Sequence, residues 1–158
     1  MYIMVAGSIA CGKTTLCQRL AALPRVYVKT QTAEIIGRTI DTPGEYMENR
    51  TLWNRLAVSA VDSALVLFLQ DPVNRNFRFS PGQAAMFQVP VAGVITKIDL
   101  AGEDDIRYAE ELLTLAGASP VFAVSSVSGE GMDRLSRYIH SLDHPACESA
   151  MPSKRKLH

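Results

Sequence analysis

The sequence predicts an α/β domain in three layers, α/β/α, with a mainly parallel sheet between two layers of helices. Three observations predict it. Strand-like and helix-like segments alternate along the 158 residues without repeats or low-complexity tracts, and such alternation implies parallel strands joined by right-handed crossovers. The runs ALVLFLQ (64–70) and VPVAGVIT (89–96) are apolar throughout instead of alternating, as in strands covered on both faces. The first apolar run, Tyr2 to Ala6, opens directly into a glycine-containing loop and then a helical pattern.

In chain order, Tyr2 to Ala6 reads as a buried strand and Lys13 to Leu23 as a helix stopped by Pro24, whose ring cannot continue it. Ile35, Ile36 and Ile40 around Gly37 suit a short hairpin. Residues 46–61 read as a helix with Leu52, Trp53, Leu56, Ala57 and Ala60 on one side. Between the two apolar runs, Pro72, Pro81 and Gly82 leave room for only a brief helix. A helix at about 103–116, a strand at about 120–124 and a helix at about 130–142 complete the pattern. The expected domain is residues 1–143, followed by a flexible tail, 144–158.

Composition bounds the functions. A 47% hydrophobic content and a mean hydropathy of +0.07 suit one substantial core. Sixteen basic residues balance sixteen acidic ones, so no global field gathers nucleic acid or an anionic membrane. The longest apolar stretch, 64–69, is too short to span a bilayer, and no secretory leader is expected. Cys11, Cys17 and Cys147 are odd in number, without CxxC spacing, which fits a reducing cytosol.

Gly7-x-x-x-x-Gly12-Lys13-Thr14 lies between a predicted strand and a predicted helix, the context that the Walker A phosphate-binding loop requires. Its glycines let successive backbone N–H groups face phosphate oxygens, and the helix start adds partial positive charge. Lys13 would neutralise the terminal phosphates, and the Thr14 hydroxyl would coordinate Mg²⁺. Asp41-Thr42-Pro43-Gly44 follows the isoleucine-rich strand, where a carboxylate can hold the Mg²⁺ shell and the Gly44 N–H can meet a γ-phosphate.

The base is indicated further along. Thr96-Lys97-Ile98-Asp99 ends the VPVAGVI strand, and a carboxylate there accepts from guanine N1–H and the 2-amino group. Adenine lacks both donors, and a buried unpaired carboxylate is costly. Lys97 would lay its aliphatic stem over the base plane. In 124–131, VSSVSGEG, a backbone N–H could reach guanine O6.

This ordered set resembles the translation-factor-related class of P-loop GTPases, with the Ras-like fold, over residues 2 to about 142. More narrowly, KTQTAEIIGRTIDTPGEY, FSPGQAAMF and GVITKIDLA resemble the EutP/PduV family of ethanolamine- and propanediol-utilisation proteins, small GTPase-like proteins linked to bacterial microcompartments. The resemblance implies that Gly7, Ser8, Ile9, Ala10, Cys11, Gly12, Lys13, Thr14 and Thr15 wrap the phosphates. Asp41 and Gly44 form a second switch. Thr96, Lys97 and Asp99 hold the base, and Ser125 with Ser126 completes its site. For the first-switch Mg²⁺ ligand Thr30 and Thr32 are both candidates, Thr30 being favoured. The implied protein is cytoplasmic, takes GTP and GDP with Mg²⁺, and has a microcompartment shell or enzyme as partner; oligomeric state is left open.

Departures from the pattern bear on rate. Only 28 positions separate Lys13 from Asp41, which abbreviates the first switch. Glu45 stands after DxxG where many relatives carry a water-orienting glutamine; an ionised carboxylate accepts from water but cannot donate to the phosphoryl oxygens. Ile9 could obstruct an arginine finger, and Ala10 removes the asparagine that potassium-activated relatives use. Lys13, Gly44 and Glu45 are therefore the expected catalytic set of a slow GTPase. Two other readings suit the loop: a small-molecule kinase acting on a carboxylate such as acetate, with Arg75 and Arg78 as auxiliaries, and a pseudo-GTPase organising an assembly. His140 and His144 lack a third metal ligand, Lys154-Arg155-Lys156 reads as a solvated tail, and Cys11 reads as a small loop residue rather than a reactive thiol.

Overall fold

In the computed structural model the described residues are 2–8, 10–21, 39–41, 54, 56–58, 60–74 and 79–143, with 39–41 described through their backbone. Strand β1 (Ile3–Gly7) is followed by helix α1 (Lys13–Ala21), β2 (Thr39–Asp41), β3 (Leu65–Gln70), β4 (Val91–Ile95), helix α2 (Glu103–Leu115), β5 (Val121–Ala123) and helix α3 (Met132–Asp143). Residues 54, 56–58 and 60 are helical, and Gln83–Met86 and Ile98–Leu100 form short 3₁₀ turns. The brief helix between the two apolar runs is thus the 3₁₀ turn at Gln83.

The five strands pair in the order β2-β1-β3-β4-β5, every pair parallel. Because successive strand residues face opposite ways, β1 feeds two cores. Ile3 and Val5 join Leu16, Leu20, Val94, Leu135 and Ile139 under α1 and α3, while Met4 and Ala6 join Leu56, Phe68, Ile95 and Leu113 under α2 and the helical segment around Leu56. This explains the unbroken apolar runs: every residue of β1, β3 and β4 is buried. Phe68 and Phe79 stack with centroids 4.2 Å apart, anchoring the chain that leaves the proline-containing loop.

Strand order reverses between β1 and β3, and ligands of open parallel sheets bind in the crevice outside the carboxyl ends at such a point. Gly7, Gln70, Ile95 and Ala123 end β1, β3, β4 and β5 at that edge. The anticipated hairpin around Gly37 and the packing of Leu52 and Trp53 lie outside the described residues, as does the tail 144–158.

Candidate functional site

Three loops at this edge build the site. The first runs from β1 into α1. A Cβ on Gly7 would lie 2.6 Å from Cys11 Sγ and 3.0 Å from the Leu69 carbonyl oxygen, so only glycine lets the loop start this close to β3. Gly12 has φ +96° and Ala10 φ 60°, and this left-handed backbone curls the loop over the helix start. The Lys13 ammonium donates to the carbonyls of Gly7 at 2.9 Å and Ser8 at 2.7 Å, which fixes a positive charge within the loop. Ala10, Gly12, Lys13, Thr14, Thr15 and Lys97 line a cavity of about 300 Å³. The first turn of α1 therefore faces it, with the partial positive charge of a helix N-terminus.

The second loop leaves β4. The Thr96 hydroxyl donates to the Cys11 carbonyl, tying this loop to the first. Lys97 adopts φ 53°, and its ammonium donates to the Ala10 carbonyl at 2.6 Å and to Asp71 Oδ2 at 2.9 Å. Asp99 lies in the following 3₁₀ turn. From the third loop, after β5, the fully buried Ser125 donates its hydroxyl to Asp99 Oδ1 at 2.8 Å, and the Ser128 N–H donates to Ser125 Oγ at 3.1 Å. Gly12, Thr15, Thr96, Lys97, Asp99, Ser126 and Val127 line a second cavity of about 80 Å³. Gly12, Thr15 and Lys97 are common to both cavities, which are two ends of one crevice. A larger hollow, about 570 Å³, lies against Arg107, Glu110, Glu111, Thr114 and Leu115 of α2. Its lining comes from one helix face, without a glycine loop or a strand's carboxyl end, so the crevice at the sheet edge is the candidate site.

The model for ethanolamine and propanediol utilisation proteins, PduV-EutP, matches residues 1–141. The chain belongs to the PduV-EutP family. It is 37% identical over 139 residues to the propanediol utilization protein PduV of Citrobacter freundii, covering 88% of this chain and 93% of that one. Among solved structures, this PduV-EutP protein is similar to a probable GTP-binding protein engB (TM-score 0.63, 15% identity, 90% of this chain and 98% of that one). It is also similar to translation elongation factor SelB from Methanococcus maripaludis in complex with the GTP analogue GppNHp (TM-score 0.61, 22% identity). That match covers 90% of this chain but only 33% of SelB, so the chain spans about a third of the elongation factor. The fold is that of the Ras-like P-loop proteins.

Within this PduV-EutP chain, the loop residues Gly7, Ser8, Ala10, Cys11, Gly12, Lys13, Thr14 and Thr15 lie at the edge together with Thr96, Lys97, Asp99, Ser125 and Ser126. The β1–β2 register sets Asp41 beside Val5, at the same carboxyl edge. Ile9, Thr30, Thr32, Gly44, Glu45, Arg75 and Arg78 lie outside the described residues. Asp71 is the site residue that the motifs did not mark; its signal was an acidic residue directly after an apolar strand, in LFLQDP.

For Mg²⁺, the candidates are Thr14, an exposed residue in the first turn of α1 beside the cavity, and Asp41, whose backbone ends β2 at the same edge. No three or more His, Cys, Asp or Glu side chains are placed together so as to hold a metal ion among the described residues. A Mg²⁺ site of this kind needs none, since phosphate and water supply most of its ligands. His140 meets Ser136 Oγ at 3.3 Å, and its suggested partner His144 is outside the described residues. No helix among the described residues is long and apolar enough to cross a membrane.

Cys11 is 1% exposed, and burial pushes its thiol pKa up, against the opposing pull of Lys13. Thiol reactivity requires the thiolate, so the small-residue reading of Cys11 fits the structure. The sign follows. The folded state holds this proton more tightly than the unfolded one, so its stabilisation is complete below the ordinary thiol range and is lost as pH rises through the raised value. Labelling of Cys11 by a maleimide at pH 7 is expected to run roughly a hundredfold slower than that of a free thiol. Mass mapping of the modified peptide checks this, and labelling at the free-thiol rate would contradict it.

Proposed function

We propose that the protein binds GTP and GDP with Mg²⁺ and hydrolyses GTP slowly, as an accessory or regulatory factor of ethanolamine or propanediol utilisation in a cytoplasm that holds microcompartments. The observation that carries this reading is the single crevice in which Gly12, Thr15 and Lys97 border both the phosphate-loop end and the Asp99 end. Such a crevice suits a ligand with an anionic tail and a hydrogen-bonding base. At the phosphate end the loop amides and Lys13 bind and orient the triphosphate, while Mg²⁺ supplies charge neutralisation when bound. Thr14, Thr30 and Asp41 are the residues proposed to hold the ion. Gly44 donates its N–H to the γ-phosphate, and Glu45 accepts from the attacking water. At the base end Thr96 supports the loop, Lys97 covers the base, Asp99 takes the two guanine donors and the Ser125–Ser126 backbone completes the site.

Phosphate release from GTP by the purified protein, with and without acetate, tests the reaction. The expected result is slow, acetate-independent and potassium-independent release, of order 10⁻⁴ to 10⁻² s⁻¹ as for related intrinsic GTPases, and its loss in Lys13→Ala. Acetate-dependent formation of an acyl phosphate would assign a kinase instead. Tight binding without any turnover would assign an assembly factor.

A further inference from the structure

We propose that Asp71 is a positioning residue for nucleotide retention, fixing Lys97 across the crevice between the base end and the phosphate loop. The inference deepens the nucleotide-binding reading above and rests on it. Among the described residues only two non-glycine residues have positive φ, Ala10 at 60° and Lys97 at 53°. Left-handed backbone is unfavourable for side chains bearing a Cβ and persists where surrounding contacts over-determine it. Here one hydrogen bond joins the two strained positions, from the Lys97 ammonium to the Ala10 carbonyl at 2.6 Å.

The other partner of that ammonium is Asp71, and Asp71 is itself held. Its Oδ1 accepts from the Val73 N–H at 2.9 Å and the Asn74 N–H at 3.4 Å. The Gln70 amide closes the same turn, donating to the Asp71 carbonyl at 2.9 Å and the Asn74 carbonyl at 3.1 Å. Oδ2 is left to face Lys97 at 2.9 Å. The Asp71 side chain is 9% exposed and that of Lys97 36%, so the anion is shielded while the lysine stem borders the crevice. An ordinary surface ion pair contributes little. This one differs because its acidic partner is buried and hydrogen-bonded within its own turn, and because the lysine it aims lines both cavities.

Asp71→Asn isolates the effect. The amide keeps an oxygen for the Val73 and Asn74 N–H groups but turns an N–H donor toward the lysine ammonium. Release of a fluorescent GDP analogue is measured by stopped flow for the wild type, Asp71→Asn, Lys97→Met and the double variant, alongside their melting temperatures. Asp71→Asn is expected to speed release of GDP and GTP analogues alike by roughly tenfold, because Lys97 meets the base and loop and not the γ-phosphate. The double variant should release no faster than Lys97→Met, and melting should shift by only a few degrees. If Asp71→Asn does not fold, Asp71→Ser, which keeps an acceptor for the turn, takes its place. Unchanged release, or an undiminished Asp71 effect in the Lys97→Met background, would overturn the proposal. If only an adenine analogue binds, the guanine reading fails, while the same cycle on that analogue still decides Asp71. Binding of neither analogue overturns both.

Discussion

Asp99→Asn is expected to lower affinity for GDP and GTP by roughly 10² to 10⁴-fold and to raise affinity for the xanthine nucleotides. The wild-type carboxylate is poised by Ser125, whose hydroxyl donates to Oδ1 at 2.8 Å. It retains acceptor capacity on both oxygens, since each carries two lone pairs. Guanine offers two parallel donors, and two charge-assisted hydrogen bonds account for roughly 3–5 kcal/mol, hence the estimated range. An asparagine oxygen still accepts from N1–H, but its NH₂ then opposes the guanine 2-amino group, donor against donor. Xanthine has a carbonyl at that position and restores the match. Equilibrium titration of wild type and variant with GTP, GDP, ATP and xanthosine diphosphate reads all of this. ATP bound as tightly as GTP, and indifferent to the substitution, would discard the guanine assignment and favour the small-molecule kinase.

What was legible in the sequence follows from the range of each interaction. The strand–loop–helix unit from β1 to α1 could be read because its determinants, Gly7, Gly12 and Lys13, fall within seven consecutive residues. The sheet was legible because burial on both faces leaves unbroken apolar runs. The final helix, expected at about 130–142, spans Met132–Asp143, while the expected end of the first helix at Leu23 lies outside the described residues. Asp71 was not legible as a site residue because register alone brings it in. The pairing of Gln70 with Ile95 sets Asp71 beside Thr96 and so within reach of Lys97, 26 positions away in the chain. In a single sequence, Asp-Pro after a strand reads simply as a turn. Gln70 was hidden similarly, as the last residue of an apolar run, although its side chain clasps the turn that presents Asp71.

The glycines of the third loop carry the largest expected effect on stability. In sequence, Gly129 and Gly131 could serve any loop and helix cap. In the structure Gly131 has φ +74°, and a Cβ there would lie 2.0 Å from the Ala123 carbonyl oxygen, a backbone atom that cannot swing aside. Gly82 has nearly the same φ, +72°, with nothing within 4 Å of the added Cβ. The pair separates conformational strain from collision. Gly82→Ala is expected to cost only the left-handed preference, about 1 kcal/mol. Gly131→Ala adds a forced backbone displacement, about 1–3 kcal/mol further, for a fall in melting temperature of about 5–15 °C in a chain of this length. The displacement also reaches the base end. The Ser125 N–H donates to the Glu130 carbonyl and the Gly129 N–H to the Ser125 carbonyl, so shifting Gly131 moves the backbone that holds Ser125 against Asp99. Gly131→Ala should therefore weaken guanine nucleotide binding even at temperatures where the variant remains folded, while Gly82→Ala leaves binding unchanged. Urea melts and GDP titrations of the two variants side by side check both statements. Equal destabilisation by the two would show that the Ala123 carbonyl yields readily, and that the third loop is held by its hydrogen bonds rather than by close approach at Gly131.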